Sequence, residues 1–390
     1  MVTHRKLRRL VGWTTVSIVV AVLVVSSGVP RTLLAVDNEE MVVRFLWEEQ
    51  QQHLQEALAR AEGPLQADDP QLIWLLRRRY LDPPSPGPRN LMADHTGPTA
   101  KRYNLYKTTF NSWIRTNTIV KRLFSDAPPG FFLEAGALDG EFISNTLFLE
   151  RELGWTGLLV EADSILYADI PGKRRNAWAS HSCLSLAPYA QKLTFEAYHA
   201  DAWASIDTRL LVRSTGNLAD VIAPAAGQMG TKERQKVQCF PLYSYLLALN
   251  VTSVQYLSLD VEGAEADILL SFPWEKANVT VWSIEHRPYN SHFRDLYSKP
   301  HETPSTTPQA MESRKKPTLH KQDDAASPRV VIQVEKRVVY TNQHDPAAGK
   351  DDYFVRFMTE RGYVLYDYWD GDYTFIKRNS SICDKHCPVL

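Results

Sequence analysis

The chain has 390 residues, of which 44% are hydrophobic, and its 44 basic and 45 acidic side chains give a formal net charge of −1. This composition is enough for one large domain with appended segments. The near-neutral charge excludes a strongly basic protein built around a nucleic acid, so we expect no nucleic-acid partner.

The N-terminus combines a basic cluster with an apolar run. Four Lys and Arg side chains lie within residues 1–9, and residues 10–30 are uncharged and mostly apolar. About 20 such residues span a bilayer as one helix, and the positive-inside rule then leaves residues 1–9 in the cytosol. A cleaved signal peptide is the alternative, because the densest apolar core is short and small residues follow it. In both cases the rest of the chain is predicted to leave the cytosol.

Residues 31–100 are predicted to form a lumenal stalk with linker helices. A polar helix with an apolar stripe is expected over 39–62, either as a stalk or as a solvated surface helix. Asp69 and Pro70 supply an N-cap and a proline at the first helical position for a second helix that ends at Tyr80. The proline-rich run after it indicates a linker or a loop lying on the domain.

Residues 101–380 alternate apolar strand candidates with helical segments, and this alternation predicts one domain built on an open parallel α/β sheet. A mixed aromatic and basic helix is predicted over 103–124, ahead of the first strand. Residues 201–236 mix small, polar and glycine residues, which indicates helix and surface loop.

The C-terminal part is interrupted by a polar stretch. Residues 300–328 are rich in Ser, Thr, Pro and Lys and are predicted to be a disordered insertion in the domain. The elements expected after it are a strand at 330–340, a helix at 353–361, a β-hairpin over 363–377 and a cysteine-containing tail at 381–390.

The most informative stretch is a strand, a glycine turn and a helix start within residues 131–150. The apolar strand is followed by four residues suited to a ligand, Glu134, Gly136, Asp139 and Gly140. Glycine lets the backbone approach a ligand closely, and acids accept hydrogen bonds from hydroxyls or amines. A Gly-x-x-x-Gly pattern after a strand is also ordinary turn chemistry, so the motif alone does not decide between a ligand site and a turn.

Three further apolar strands end in acidic residues. The second strand closes at Glu161, at the spacing at which dinucleotide-binding folds place their ribose-binding carboxylate. The acids that follow the next two strands are Asp260, Glu262, Glu265 and Glu285, and His286 comes directly after the last of them. Four apolar strands that each end in acid predict one site at a single edge of the sheet.

Three sequons for N-glycosylation, at Asn250, Asn278 and Asn379, support a lumenal domain. Asn250 and Asn278 each precede a predicted strand, and Asn379 follows a final strand that we expect to run antiparallel. All three are therefore predicted to lie at the edge of the sheet opposite the carboxylates, where a glycan leaves the site open.

The four cysteines are Cys183, Cys239, Cys383 and Cys387. None forms a Cys-x-x-Cys pair and no paired His/Cys spacing indicates zinc, so we expect no metal. In a secreted setting the four allow two disulfides whose connectivity the sequence leaves open, a terminal Cys383–Cys387 loop being one of the pairings.

With these motifs in place, the core resembles the FkbM-type methyltransferase family, and within it the branch that includes the insect Star protein. The resemblance covers residues 66–380. The segments that carry it are residues 132–141, 144–147, 153–161, 256–265 and 283–286, with shorter stretches at Asp82, Cys183 and Cys239. The most specific of them is the Leu-Asp-Val-Glu-Gly-Ala-Glu run that ends at Glu265.

The resemblance implies a class I methyltransferase-like fold, a Rossmann-like α/β sheet of seven strands with the last strand antiparallel, and S-adenosylmethionine as the cofactor. The residues implied to line the methionine side of the cofactor are Glu134, Gly136, Asp139 and Gly140. Glu161 would hold the ribose hydroxyls, and Asp260 would lie near the methyl group. One departure is Leu138, which stands where the usual loop has a further glycine and would narrow the cofactor site.

The resemblance also implies catalytic and substrate-side residues. Asp260, Glu285 and His286 would be catalytic, with His286 as the general base because histidine titrates near neutrality. Glu262 and Glu265 would lie on the substrate side.

The Star-like branch implies a single-pass type II glycoprotein of the endoplasmic reticulum and Golgi membranes. Its expected role is vesicle-mediated transport, in which it helps membrane-bound growth-factor precursors to leave the endoplasmic reticulum. The alternative is an active S-adenosylmethionine-dependent O-methyltransferase acting on a glycan or small-molecule hydroxyl. The anchor and the sequons favour transport, whereas the carboxylates favour a ligand pocket.

Overall fold

The computed structural model of the chain describes residues 39–61, 65–108, 110–199, 214–218, 231–286, 292–298 and 349–388. The predicted span at 10–30, the predicted insertion at 300–328 and the predicted strand at 330–340 lie outside the described residues. Within the ranges given, no helix is both long and apolar enough to cross a membrane.

The strands form two sheets. Those of the main sheet are β1 (Phe131–Ala135), β2 (Thr156–Glu161), β3 (Ala177–His181), β8 (Ser253–Leu259), β9 (Asn278–Glu285), β10 (Tyr363–Trp369) and β11 (Asp372–Lys377). Those of the second sheet are β4 (Cys183–Leu184), β5 (Gln191–His199), β6 (Ser214–Leu218) and β7 (Thr231–Phe240).

Helices flank both faces of the main sheet. Before β1 they are α1 (Glu39–Ala61), α2 (Pro70–Leu75, continued by a π-helical turn over Leu76–Tyr80), α3 (Pro98–Lys107) and α4 (Asn111–Phe124). The others are α5 (Leu147–Leu153), α6 (Ser164–Lys173), α7 (Leu242–Ala248), α8 (Glu265–Ser271), α9 (His292–Ser298), α10 (Asp352–Glu360) and α11 (Ser381–His386).

The main sheet has the strand order β10-β11-β9-β8-β1-β2-β3. Its strands β3, β2, β1, β8 and β9 are parallel, and β11 is antiparallel to both of its neighbours. The predicted seven-stranded sheet with an antiparallel last strand is therefore confirmed. The chain moves from β1 outward to β3 and then crosses back to β8, which pairs with the other side of β1. In folds of this kind, ligands bind in the crevice beyond the carboxyl ends of the two strands at which the order reverses, here β1 and β8.

The second sheet corrects the expectation of helix and loop over residues 201–236. Two strands, β6 and β7, lie in or across this region, and both pair antiparallel with β5. β7 is mostly polar, so its conformation comes from pairing with β5 and not from an apolar pattern. Cys183 of β4 and Cys239 of β7 are register partners and form one disulfide, while the second joins Cys383 to Cys387.

Before β1, the second predicted helix starts at its predicted cap, and the helix predicted over 103–124 is divided in two. Asp69 caps α2 by accepting a hydrogen bond from the backbone N–H of Gln71 at 2.8 Å. The single helix expected over 103–124 is two helices, because the chain leaves helical geometry around Phe110 between α3 and α4.

The two faces of the main sheet bury different side chains. The face packed against α2, α7, α8 and α10 is apolar along its length, with Leu133, Leu257, Trp282 and Phe375. The face covered by α4 begins apolar, with Phe132, Tyr256, Val281 and Ile376. Two residues further along each strand, towards the carboxyl edge, the same face carries a row of buried polar residues: Glu134, Ser258, Ser283 and Thr374.

All three sequons lie at the edge of the sheet opposite the carboxyl ends. Asn250 precedes β8, Asn278 is the first residue of β9, and Asn379 follows the antiparallel β11. Asn250 and Asn379 are exposed, whereas Asn278 is half-buried. This is the placement expected from the sequence, and glycosylation itself stays a prediction.

Candidate functional site

The turn after β1 meets the end of β8 at the carboxyl edge. A Cβ added at Gly136 would lie 1.8 Å from the backbone oxygen of Asp260, and Gly136 has a φ of +82°. Only glycine fits here, because both the space and the left-handed backbone exclude a side chain. The contact that demands this glycine is made with the protein itself and not with a ligand. Gly140, with a φ of +80°, meets only ordinary contacts with Ile170.

Glu134, predicted on the methionine side of the cofactor, is buried and accepts hydrogen bonds from the protein at both of its oxygens. Its carboxylate accepts hydrogen bonds from the backbone N–H of Asn145 at 2.7 Å and from the hydroxyls of Ser144 at 2.7 Å and Thr146 at 2.5 Å. Burial raises its pKa, against the attraction of Arg175. This carboxylate holds the loop that leads into α5.

Asp139 shapes the same turn. Its Oδ1 accepts hydrogen bonds from the backbone N–H groups of Glu141 at 2.9 Å and Phe142 at 2.6 Å. Its Oδ2 lies 2.9 Å from Nζ of Lys173, which also bonds Glu141 at 3.0 Å. The side chain predicted to contact the cofactor is therefore used to fasten the turn to the end of α6.

Glu161, predicted to hold the ribose, is likewise bound by backbone amides. One carboxylate oxygen accepts from the N–H of Leu138 at 2.7 Å and the other from the N–H of Asp163 at 2.8 Å. Burial raises the pKa of this carboxyl to about 8, against the lowering effect of these two hydrogen bonds. Leu138 has a φ of +51°, in the left-handed region that favours glycine.

These contacts decide whether S-adenosylmethionine fits the residues present. Each oxygen of Glu161 accepts one amide hydrogen bond, and a carboxylate oxygen has a second lone pair that a ribose hydroxyl could use. Oε1 of Glu134 likewise accepts one hydrogen bond, from the N–H of Asn145. The acids present are therefore compatible with the cofactor, and Leu138, with its left-handed backbone, is the departure from the expected glycine.

Three other predicted acids come together on the solvent side of the same edge. Asp260 follows β8, Glu262 lies in the turn after it, and Glu285 ends β9. One carboxylate oxygen from each lies within 4.8 Å of the other two; Asp260 and Glu262 are exposed and Glu285 is half-buried. Protein surrounds Asp260 closely enough that incomplete hydration raises its pKa well above the usual range, and the charges of Glu285 and Glu262 raise it further.

Glu265 does not face this cluster, which corrects its expected place on the substrate side. It is buried, and its Oε1 accepts hydrogen bonds from the backbone N–H of Val261 at 2.8 Å and Gly263 at 3.1 Å. Burial raises its pKa to about 8, with a further contribution from the charge of Glu285. The carboxyl supports the turn that holds Glu262 at a φ of +59°.

His286 is not placed to act as the general base. Strand alternation puts it on the opposite face of the sheet from Glu285, where it is only 3% exposed and its ring packs against Phe293 and Phe354. Its Nε2 lies 3.0 Å from Oδ2 of Asp351. That carboxylate also caps α10. Burial has the largest single effect on its pKa and raises it, but the hydrogen bonds from His286, Phe354 and Tyr353 and the charge of His286 together lower the pKa below its usual value.

Buried polar residues next to the cluster were not predicted from the sequence. Ser258 and Ser283 are register partners two residues before Asp260 and Glu285, and Asn145 donates a hydrogen bond from Nδ2 to Ser258 Oγ at 3.0 Å. The signal was present, because both strands have a serine two positions ahead of their final acid, which strand alternation places on one face.

The carboxyl edge described above lies in the part of the chain that is similar to a known domain family. Residues 134–312 match the family model of the methyltransferase FkbM domain, a range that begins at the penultimate residue of β1 and ends beyond α9. No curated protein matches the chain. The chain therefore contains an FkbM methyltransferase-like domain on a seven-stranded, mostly parallel sheet.

Proposed function

We propose that this chain is a Star-like type II membrane protein of the secretory pathway whose FkbM methyltransferase-like domain lies in the lumen. There it binds membrane-bound growth-factor precursors and assists their transport from the endoplasmic reticulum to the Golgi. The observation that carries the proposal is the exposed position of the sequons at Asn250 and Asn379, at the edge of the sheet opposite the carboxylates, which supports a glycosylated lumenal domain.

A cofactor-dependent enzyme needs polar groups that are available to the cofactor. In this domain Glu134, Asp139 and Glu161 each accept hydrogen bonds from backbone N–H groups of the neighbouring turns. Carboxylates used in this way stabilise the turns of the fold. The two disulfides support residence in an oxidising compartment, which agrees with a lumenal domain.

A second candidate is O-methyl transfer to a glycan or small-molecule hydroxyl with S-adenosylmethionine. It is favoured by the cluster of Asp260, Glu262 and Glu285 at the edge where ligands bind in this class of fold.

Two measurements on the full-length chain separate the candidates. The transport proposal predicts that co-expression raises the fraction of a membrane-bound growth-factor precursor carrying Golgi-processed glycans, and that calorimetry with S-adenosylmethionine gives no saturable heat. A matched control replaces residues 1–30 with a cleavable signal peptide, which keeps the lumenal domain and removes the predicted anchor. Micromolar binding that is lost in Glu161→Ala, together with no effect on the precursor, would reject transport and support methyl transfer.

A further inference from the structure

We propose that the groove between the proline-rich segment 82–90 and residues 174–176 binds the phosphate group of a phosphorylated sugar. The groove lies just ahead of β3, at the edge of the sheet opposite the carboxylates. The site is therefore independent of the proposed transport role and of methyl transfer. Its anion-binding side chains are Arg89, Arg174 and Arg175.

The proline-rich wall of the groove is fastened at both of its ends. The backbone of Asp82 exchanges two hydrogen bonds with that of Ala179 in β3, at 2.8 and 2.9 Å. At the other end, the N–H of Asn90 donates to the carbonyl oxygen of Lys173 at 3.0 Å, and its side-chain amide donates to that of Gly172 at 3.2 Å. Four of the seven residues between these ends are prolines, whose φ is fixed. A ligand therefore meets a groove that is already formed.

The size and charge of the groove suit a small anionic ligand. Its volume is about 410 Å³, and small-molecule sites have volumes of about 300–1,000 Å³. Three arginines line it, and no acid among the described residues does. A concave surface of one charge sign concentrates ligands of the opposite charge.

One buried carboxylate neutralises part of this charge. Glu150 accepts a hydrogen bond from Nε of Arg175 at 2.5 Å, and its other oxygen lies 3.5 Å from a guanidinium nitrogen of Arg89. The side chain of Arg174 has no ion pair or hydrogen bond in the described part of the chain. Three guanidinium groups thus face one carboxylate, which leaves an excess of two positive charges.

A second observation is a buried N–H group that the protein leaves without an acceptor. Arg175 lines the groove although it is only 2% exposed. Its Nη1 donates to the backbone oxygen of Gly140 and, at 3.4 Å, to Ser144 Oγ. Its Nη2 carries two N–H groups but has one acceptor within the ranges that the structure describes, Thr146 Oγ1 at 3.2 Å. Buried donors are normally paired, and an oxyanion in the groove supplies the missing acceptor.

The donors of the groove select the chemical class of the ligand. The planar guanidinium group binds phosphate oxygens through two parallel hydrogen bonds. An excess of two positive charges matches a phosphate monoester, which carries a charge of about −1.5 to −2 at pH 7, better than a sulfate monoester with its single charge. Further donors for the hydroxyls of a sugar are the lining groups Ser85 Oγ, the N–H of Gly87 and the side-chain amide of Asn176.

The test is calorimetric titration of glucose 6-phosphate into the detergent-solubilised full-length chain at pH 7, in a phosphate-free buffer of low salt. We expect one saturable site, weaker binding of glucose 6-sulfate and of inorganic phosphate, and no binding of glucose. Arg89→Gln should weaken binding about tenfold, since it removes a charged hydrogen-bond donor. Arg174→Lys should weaken it about fivefold, because lysine keeps the charge but loses the planar fork.

A further variant separates lost binding from lost folding. Arg174 ends α6 with a φ of +52°, in the left-handed region where glycine is preferred. Arg174→Gly should therefore unfold at a Tm no lower than that of the unaltered chain and still bind the ligand at least tenfold more weakly. The matched control is Arg378→Gln, at an exposed arginine after β11, which four strands separate from β3; it should bind within twofold of the unaltered chain.

Three results would overturn the proposal. The first is a folded chain that shows no saturable binding of glucose 6-phosphate. The second is binding by Arg174→Gly and Arg174→Lys as tight as that of the control, which would limit Arg174 to a role at the end of α6. The third is equal affinity for glucose 6-sulfate or inorganic phosphate, which would exclude selection of a sugar phosphate.

Discussion

At the scale of single residues, the acids at the carboxyl edge differ in what their oxygens bind. Glu161 and Glu265 accept hydrogen bonds from backbone N–H groups, whereas Asp260 and Glu262 face solvent. All four follow apolar strands, so their position in the sequence predicted the edge on which they lie. The sequence position did not predict which carboxylates would bind backbone amides, because this depends on the direction of the N–H groups in the neighbouring turns.

Leu138 is a single residue whose cost is measurable. A left-handed backbone lowers the stability of a chain with a non-glycine residue by about 1–2 kcal/mol. Glycine removes this strain, but it lowers the free energy of unfolding by about 0.5–1 kcal/mol because the unfolded chain is more flexible. We expect Leu138→Gly to be about 1 kcal/mol more stable than Leu138→Ala, which removes the side chain but keeps the strained φ of +51°. Guanidinium unfolding at pH 7 compares the two. Equal stabilities would show that the backbone at this position is not strained.

Glu265 gives a prediction about pH. Its pKa is raised from 4.5 to about 8 in the fold, so the folded state binds a proton more tightly than the unfolded state does. The stability it contributes is therefore complete below pH 4.5 and is lost as the pH rises to 8.

Glu265→Gln keeps the one oxygen that accepts both backbone hydrogen bonds and removes the titration. Relative to the unaltered chain, we expect this variant to gain about 2–5 kcal/mol of unfolding free energy between pH 4.5 and 8. Urea unfolding at intervals across that pH range measures the difference. A difference that stays constant with pH would contradict the raised pKa.

At the scale of the element, strand alternation explains both a success and an error of the sequence analysis. The apolar runs correctly placed β8 and β9 next to one another with acids at their ends. Grouping His286 with Glu285 was wrong because consecutive residues of a strand point to opposite faces. The mostly polar β7 carried no apolar signal, and its strand conformation depends on β5, which lies far from it in the chain.

The start of α10 shows how the buried histidine is held. Asp351 accepts hydrogen bonds from the N–H groups of Tyr353 at 3.0 Å and Phe354 at 3.2 Å, and its other oxygen lies 3.0 Å from Nε2 of His286. Asp351→Asn keeps a good capping residue and loses the charge facing the imidazole, whereas Asp351→Ala loses both. We expect the alanine variant to be about 1 kcal/mol less stable than the asparagine variant, as measured by chemical unfolding at pH 7. If the two variants were equally stable, the cap would contribute nothing.

At the scale of the whole molecule, the crossover between β3 and β8 determines where any site can lie. Parallel strands bring their carboxyl ends to one edge, so acids far apart in the chain become neighbours at the gap between β1 and β8. This much follows from the order of apolar runs and acids. Pairing in the second sheet and the Cys183–Cys239 disulfide do not follow, since they depend on contacts between strands that no local pattern specifies.

The same parallel arrangement places all three sequons at the opposite edge and makes the topology of the chain testable. Asn250 and Asn379 are exposed, whereas the side-chain amide of Asn278 donates to Ser253 Oγ at 3.0 Å and its oxygen accepts from Lys377. A glycan on Asn278 would have to use the amide that joins β8 to β9. We therefore expect mass spectrometry of enzymatically deglycosylated peptides to show higher occupancy at Asn250 and Asn379 than at Asn278.

The control is Asn278→Gln, which should lower the Tm without changing the glycan count, whereas Asn250→Gln should remove one glycan and leave the Tm unchanged. Occupancy at none of the three sites in a secretory cell would contradict a lumenal domain, because the enzyme that adds these glycans acts only on the lumenal side of the membrane.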